Sequence, residues 1–212
     1  PIIRLFANSK PASAFNEERL ASIVQSDSTL LVQHLRAKDT LKGTNDVVKM
    51  TATEEASLPV DDVIRVVKGA PILIVQNHIA ETLNSGQKIY VGNGTTGVFQ
   101  EYDSNLDVIF AKVNIASKDV FVRIKRRAFS TATKTRSQFP FMLAWAITIH
   151  KSQGKTFENV IINLAAKTFA AGQLYVALSR CTTLGGLVLR QEIDSSQVIL
   201  DERVMDFHLD DL

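Results

Sequence analysis

The chain has 212 residues, of which 45% are hydrophobic and 22% charged, and its formal net charge is +2. That suits one large domain or a domain carrying an insertion, and a charge so near balance decides little about a nucleic-acid partner, since basic clusters survive inside a neutral total. The single cysteine, Cys181, excludes an internal disulfide and a zinc cluster, and no stretch has the pattern of a signal peptide or a membrane span, so a cytoplasmic or nuclear protein is expected.

The first element is the apolar run Ile2-Ile3-Arg4-Leu5-Phe6, expected to be a buried strand. It follows Pro1 directly with no methionine before it, as expected of a piece of a longer protein. Ser9-Lys10-Pro11 reads as a turn, and Ala12 to Val24 as a helix with Phe15, Leu20 and Ile23 on a common side. Thr29 to Lys38 has the composition of another strand, and the polar stretch Gly43 to Pro59 that of a connector. From Val63 the texture changes to short β-branched and aromatic runs: Val63 to Val67, Ile72 to Val75, Lys88 to Val91, Thr96 to Gln100, Asp107 to Phe110 and Val120 to Ile124. Turn signals such as Lys68-Gly69-Ala70-Pro71 and Gly92-Asn93-Gly94 separate them at the spacing of a small antiparallel barrel. An α/β texture returns from Phe139, with helical spacing across Leu143 to His150, a strand at Asn159 to Leu164, a helix around Gln173 to Ser179 and a strand at Leu187-Val188-Leu189. The expected architecture is one α/β domain, residues 1–62 and 137–212, split around an inserted β-barrel of residues 63–136.

Within Ile149-His150-Lys151-Ser152-Gln153-Gly154-Lys155-Thr156-Phe157 the Gly-Lys-Thr ending is that of a phosphate-cradling P-loop, G-x-x-x-x-G-K-S/T. The first glycine of that pattern falls on Ile149, whose β-branched side chain resists the tight or positive-φ backbone the loop needs. The literal P-loop reading is therefore poor. A second segment, Ala171 to Arg180, is an apolar helix ending in a serine and an arginine. Arg180 is either a solvated group complementing the helix dipole or an anion contact. Its planar fork suits phosphate, and an arginine supplied across an interface stabilises the charge of phosphoryl transfer.

In this order, AWAITIHKSQGKTFENVIINL followed by GQLYVALSRCTTLGGLVL resembles motifs V and VI of superfamily-one DNA helicases of the Pif-type and RecD-like branch. PIIRLFANSKPASAFNEERL is similar to motif IV, with Asn8 and the Asn16-to-Leu20 spacing matching, and VIRVVKGAPILIVQN and VGNGTTGVF resemble stretches of that family's SH3-like barrel. Motifs V and VI are specific together, the other matches weak alone, and the likeness spans nearly the whole chain. Arg4 stands where several members carry a different residue, so no nucleotide contact is assigned to it.

The resemblance implies an α/β fold, the second RecA-like domain of P-loop NTPase type, split by an inserted SH3-like β-barrel. It implies an ATP-dependent DNA helicase translocating 5'-to-3', with ATP and Mg2+ held mainly by a first motor domain. The implied partners are single-stranded DNA and that N-terminal RecA-like domain of the same protein. Thr148, His150, Lys151 and Ser152 would face the strand, with Asn8 beside them, because hydroxyl, imidazole and ammonium groups bind backbone phosphates without reading sequence. Gln153, Gly154 and Gln173 would lie at the nucleotide cleft, and Arg180 would be the catalytic arginine finger; no residue is assigned to a metal. Lys155 and Thr156 occupy positions the family leaves variable, so their P-loop likeness would be chance. Two other readings stay open: a non-catalytic nucleic-acid-binding module that reads with its barrel, and a degenerate helicase domain kept as an interaction subunit. Trp145 and Tyr175 are expected on helices in the core, and Arg123 to Arg127 as phosphate contacts or a solvated edge.

Overall fold

The computed structural model describes residues 2–116, 118–164 and 170–201. Contacts divide the chain into two units, Pro1–Arg19 with Trp145–Leu212, and Leu20–Ala144.

The chain opens with β1 (Ile3–Phe6) and the helix α1 (Ser9–Ser26). The helix starts at Ser9, where a turn was expected, with Pro11 inside its first turn. The first helical N–H groups have no partner within a helix, so a proline there forfeits no bond, and its fixed φ suits the conformation. Ala12, Asn16 and Leu20 are buried along one side, flanked by the half-buried Phe15 and Ile23.

The second unit is built from antiparallel strands: β2 (Gln33–Arg36), β3 (Lys38–Leu41), β4 (Val63–Val66), β5 (Pro71–Ile74), β6 (His78–Thr82), β7 (Lys88–Val91), β8 (Thr96–Asp103), β9 (Val108–Ile115), β10 (Lys118–Lys125), β11 (Arg127–Ser130), β12 (Lys134–Gln138) and β13 (Phe141–Leu143). A short helix α2 (Ala52–Ser57), opened by a capping box between Thr51 and Glu54, lies in the stretch expected to be a plain connector. Among the described residues the strands form a seven-stranded sheet in the order β13-β5-β8-β9-β10-β6-β7, a three-stranded sheet β11-β12-β3 and the pair β2-β4. Alternate residues such as Ile109, Ala111 and Val113 point into an apolar core with Phe99 and Phe141. The core also holds charge. Arg136 is fully buried, donating to the Asp39 carboxylate at 2.9 and 2.7 Å, to Glu55 at 3.2 Å and to Val60 O at 3.3 Å. Arg126 donates to both oxygens of Asp107 at 2.9 Å and lies 4.5 Å over the Phe139 ring. Of the basic run Arg123 to Arg127, Arg123 in β10 and Arg126 just after it are thus held by Glu81 and Asp107 as ion pairs.

The chain returns to the first unit with β14 (Ala146–Thr148), a 3-10 turn at His150–Ser152, β15 (Val160–Asn163), the helix α3 (Gln173–Leu178) and β16 (Leu187–Leu189). The helix expected across Leu143 to His150 is not formed; the end of β13, the whole of β14 and the start of the 3-10 turn stand there instead. Leu143, Ala144, Ala146, Ile147 and Ile149 are all buried, a spacing that mimics a helical stripe. It arises because a strand buried on both faces loses its alternation, and short apolar runs of this kind carry no distinguishing period. The four strands are parallel, in the order β14-β1-β15-β16, with Phe6 opposite both Thr148 and Asn163. Asn16 completes the free edge of β14: its amide donates to Ala146 O at 2.8 Å and accepts from Ala146 N–H at 2.8 Å. A buried polar side chain is accommodated there because it replaces an absent strand.

Candidate functional site

Parallel strands place all their carboxyl ends on one edge, where open α/β sheets gather their ligands. At this edge Phe6 leads to Ala7 and Asn8, and Thr148 leads to Ile149 and His150. The two exits are tied by Ile149 N–H donating to Phe6 O at 2.9 Å. Asn8 is part-exposed in the bend before α1. The Gln173 side chain, 4% exposed at the start of α3, donates to Ala7 O at 3.3 Å, so it fastens this exit to the helix from within.

The segment after β14 is a tight turn built from its own side chains. Thr148 Oγ1 accepts the Lys151 N–H at 3.2 Å, and His150 stands exposed at the apex with Lys151 part-exposed beside it. Ser152, expected to face outward, is fully buried; its hydroxyl donates to Ile149 O at 2.6 Å and props the turn from beneath. Gln153 and Gly154 are exposed, and Gly154 holds φ +72°, a left-handed conformation that turns the chain back toward β15.

The turn and the end of α3 form one hydrogen-bonded structure. Phe157 N–H donates to Arg180 O at 2.8 Å, and Thr182 N–H donates to Phe157 O at 3.1 Å. The Arg180 side chain curls over the same loop. Its Nε donates to Val176 O at 2.9 Å, its two terminal nitrogens to Lys155 O at 2.9 Å and Ser179 Oγ at 2.9 Å, and one of them lies 3.5 Å from Ser152 O. The guanidinium is therefore held on neutral oxygens, with no carboxylate paired to it among the described residues. Gly186 seals the junction, since a Cβ there would overlap Glu158 O.

Sequence reasoning set Lys155 aside, yet its ammonium folds back half-buried to donate to Lys151 O. Burial, and then the charges of Lys151 and Arg180, push its pKa below the ordinary lysine value. The signal for it was the Gly-Lys-Thr ending itself. The two aromatic residues expected in helical cores lie elsewhere: Trp145 is only part-buried, just before β14, and Tyr175 is on α3 but 75% exposed.

Comparison with known proteins agrees with this geometry. A family model described as the UvrD-like helicase C-terminal domain matches residues 143–188, which contain the turn, α3 and the glycine junction. The chain is 32% identical to the human ATP-dependent DNA helicase PIF1 over 162 residues, 76% of this chain and 24% of that protein. It is 44% identical to the Saccharomyces cerevisiae ATP-dependent DNA helicase RRM3 over 73 residues, 34% of this chain and 10% of that protein. It thus spans about a quarter of the length of the curated relatives it matches most extensively. Bacteroides Pif1 bound to ssDNA superposes with TM-score 0.74 at 26% identity, covering 99% of this chain and 45% of that one. Pif1 helicase from Candida albicans shares the fold with TM-score 0.74 at 21% identity, over 100% of this chain and 50% of that one. Over most of its length the chain is thus similar to the C-terminal region of Pif1-type helicases, consistent with a C-terminal helicase fragment.

Proposed function

We propose that this chain is the C-terminal motor portion of an ATP-dependent DNA helicase that moves 5'-to-3' on a single strand. The observation that carries the proposal is the bonding of the Arg180 guanidinium and backbone to the turn at His150 to Phe157, which makes one unit of the nucleotide-facing and strand-facing residues. On this reading His150, Lys151, Thr148 and Asn8 supply donors to strand phosphates, and Ser152 holds the turn in shape for them. Gln153, Gly154 and Gln173 border the nucleotide, whose γ-phosphate charge Arg180 would meet by leaving its carbonyl acceptors. Bound ATP supplies the phosphoryl transfer that drives movement. The cationic surroundings of Arg180, with no carboxylate bonded to it among the described residues, suit such an anion.

Mg2+ ligands and the P-loop lysine would come from an N-terminal RecA-like motor domain; among the described residues no group of three or more His, Cys, Asp or Glu could hold a metal ion. Residues 63–136 are read as an inserted SH3-like barrel, with 1–62 and 137–212 as the surrounding motor domain; the antiparallel strands β5 to β10 support the insert, while β2, β3 and β13, outside its bounds, pair with β4, β12 and β5. Cytoplasmic or nuclear work in DNA repair and recombination is the proposed setting; among the described residues no helix is long and apolar enough to cross a membrane.

The test is binding of a labelled oligo-dT by the chain, measured by anisotropy across a salt series, with ATP turnover assayed in parallel. Weak binding that declines with salt and no turnover are expected, with His150→Ala weakening binding several-fold. Unchanged affinity in that variant would remove His150 from the strand site, and turnover by the chain alone would contradict the division of labour proposed.

A further inference from the structure

We infer that Lys155 is a second phosphate ligand beside Arg180, so that the Gly154-Lys155-Thr156 sequence does handle phosphate, although not as a P-loop. The inference rests on the proposed helicase reading and adds to it a residue at a position that reading left without a role.

Three cations gather around one short loop, Lys151 and Lys155 on it and Arg180 over it from the end of α3. Lys155 and Arg180 are both parked on neutral oxygens: the ammonium on Lys151 O, the guanidinium on Lys155 O and, more distantly, Ser152 O of the loop, and on Val176 O and Ser179 Oγ of its own helix end. Among the described residues neither is paired with a carboxylate. Neutral acceptors satisfy hydrogen-bonding but leave the charges uncompensated, and like charges brought together in a half-buried place cost free energy until an anion arrives. The depressed lysine pKa, caused by burial and by its two cationic neighbours, expresses that cost.

Gly154 makes the arrangement possible. Its positive φ turns the backbone so that the Lys155 side chain runs back along the loop, and no atom lies within 4 Å of a Cβ at Gly154 that would fill the approach. The ligand is therefore a phosphoryl oxygen. It belongs either to the terminal phosphate of the nucleotide, shared with Arg180, or to a backbone phosphate of the strand, shared with the His150 to Lys151 apex.

The experiment compares Lys155→Ala and Lys155→Arg with wild type in the complete helicase. It measures affinity for ADP, affinity for ADP with aluminium fluoride, oligo-dT affinity over a salt series, and the thermal midpoint. A nucleotide contact predicts that Lys155→Ala weakens ADP-aluminium fluoride by roughly tenfold to a hundredfold relative to ADP, as for loss of one charge-assisted bond, with partial rescue by arginine. A strand contact predicts unchanged nucleotide affinities and a salt slope reduced by roughly one phosphate's worth. If both ligands bind Lys155→Ala as they bind wild type, and only the thermal midpoint moves or nothing does, the lysine is a clip on Lys151 O and the inference is overturned while the helicase reading stands. A wild-type enzyme that neither hydrolyses ATP nor binds the strand overturns both.

Discussion

Arg136 and Asp39 show what a single buried charge does in this chain. The arginine has no access to solvent, and its charge is balanced chiefly by the bidentate Asp39 contact, with Glu55 as a more exposed second partner. Asp39→Ala leaves that charge largely uncompensated, and the expected loss is about 3 kcal/mol, the low end for breaking a buried pair because Glu55 remains; urea unfolding of the chain measures it. His78 gives a pH dependence. It is 4% exposed, its Nδ1–H donates to Gln76 O, and burial foremost, then the Arg127 charge, holds its pKa below 6.5. The unfolded chain therefore takes up the proton first. Stability that is full above about 6.5 declines as the pH falls below it, and His78→Gln should flatten that slope in thermal scans between about pH 5.5 and 7.5. Glu54 acts at lower pH: the Lys134 ammonium first, and then the Thr51 amide, hold it at about 2. Its folded pKa lies below the unfolded one, so its contribution is present above about 4.5 and fades as the pH falls toward 2.

Two glycines separate backbone from packing effects in the turn and junction elements. At Gly154 an added methyl group meets nothing, and only the left-handed φ opposes it, so Gly154→Ala should cost about 1 kcal/mol. At Gly186 the same methyl group overlaps the Glu158 carbonyl and must displace backbone, so Gly186→Ala should cost about 1–3 kcal/mol and loosen the bond between turn and helix. Thermal midpoints of the two variants check the ranking. These elements also show what could be seen in the amino-acid order. The strand at Val160 to Asn163, the helix from Gln173 and the strand Leu187 to Leu189 announce themselves by composition and by turn residues on either side. β11 and β12 do not, because their inward positions include Arg136 and Gln138, polar side chains satisfied by Asp39, Glu55 and the carbonyls of Leu35, Asp61 and Asp62. No apolar alternation records such a pairing. The candidate residues of the site came from the resemblance of the two motifs, whereas the inward turn of Ser152 follows from its bond to Ile149 O within a tight turn, and the carbonyl-bound pose of Arg180 from a bond to Lys155 O, 25 residues away.

At the scale of the whole molecule, the family signature is concentrated in the parallel-sheet unit, while most of the chain's antiparallel strands lie in the other. On the proposed reading, Arg180 of the first unit serves chemistry at a nucleotide, and the turn it bonds serves the strand. The most direct measurement is Arg180→Ala in the complete helicase, with steady-state ATP turnover and oligo-dT affinity determined on the same preparation. Turnover lowered by a thousandfold or more, as for loss of an arginine finger, is expected, with strand affinity changed only a few-fold. Turnover near wild type, or a loss of strand affinity as large as the loss of turnover, would contradict that reading and leave Arg180 as a clamp on the loop.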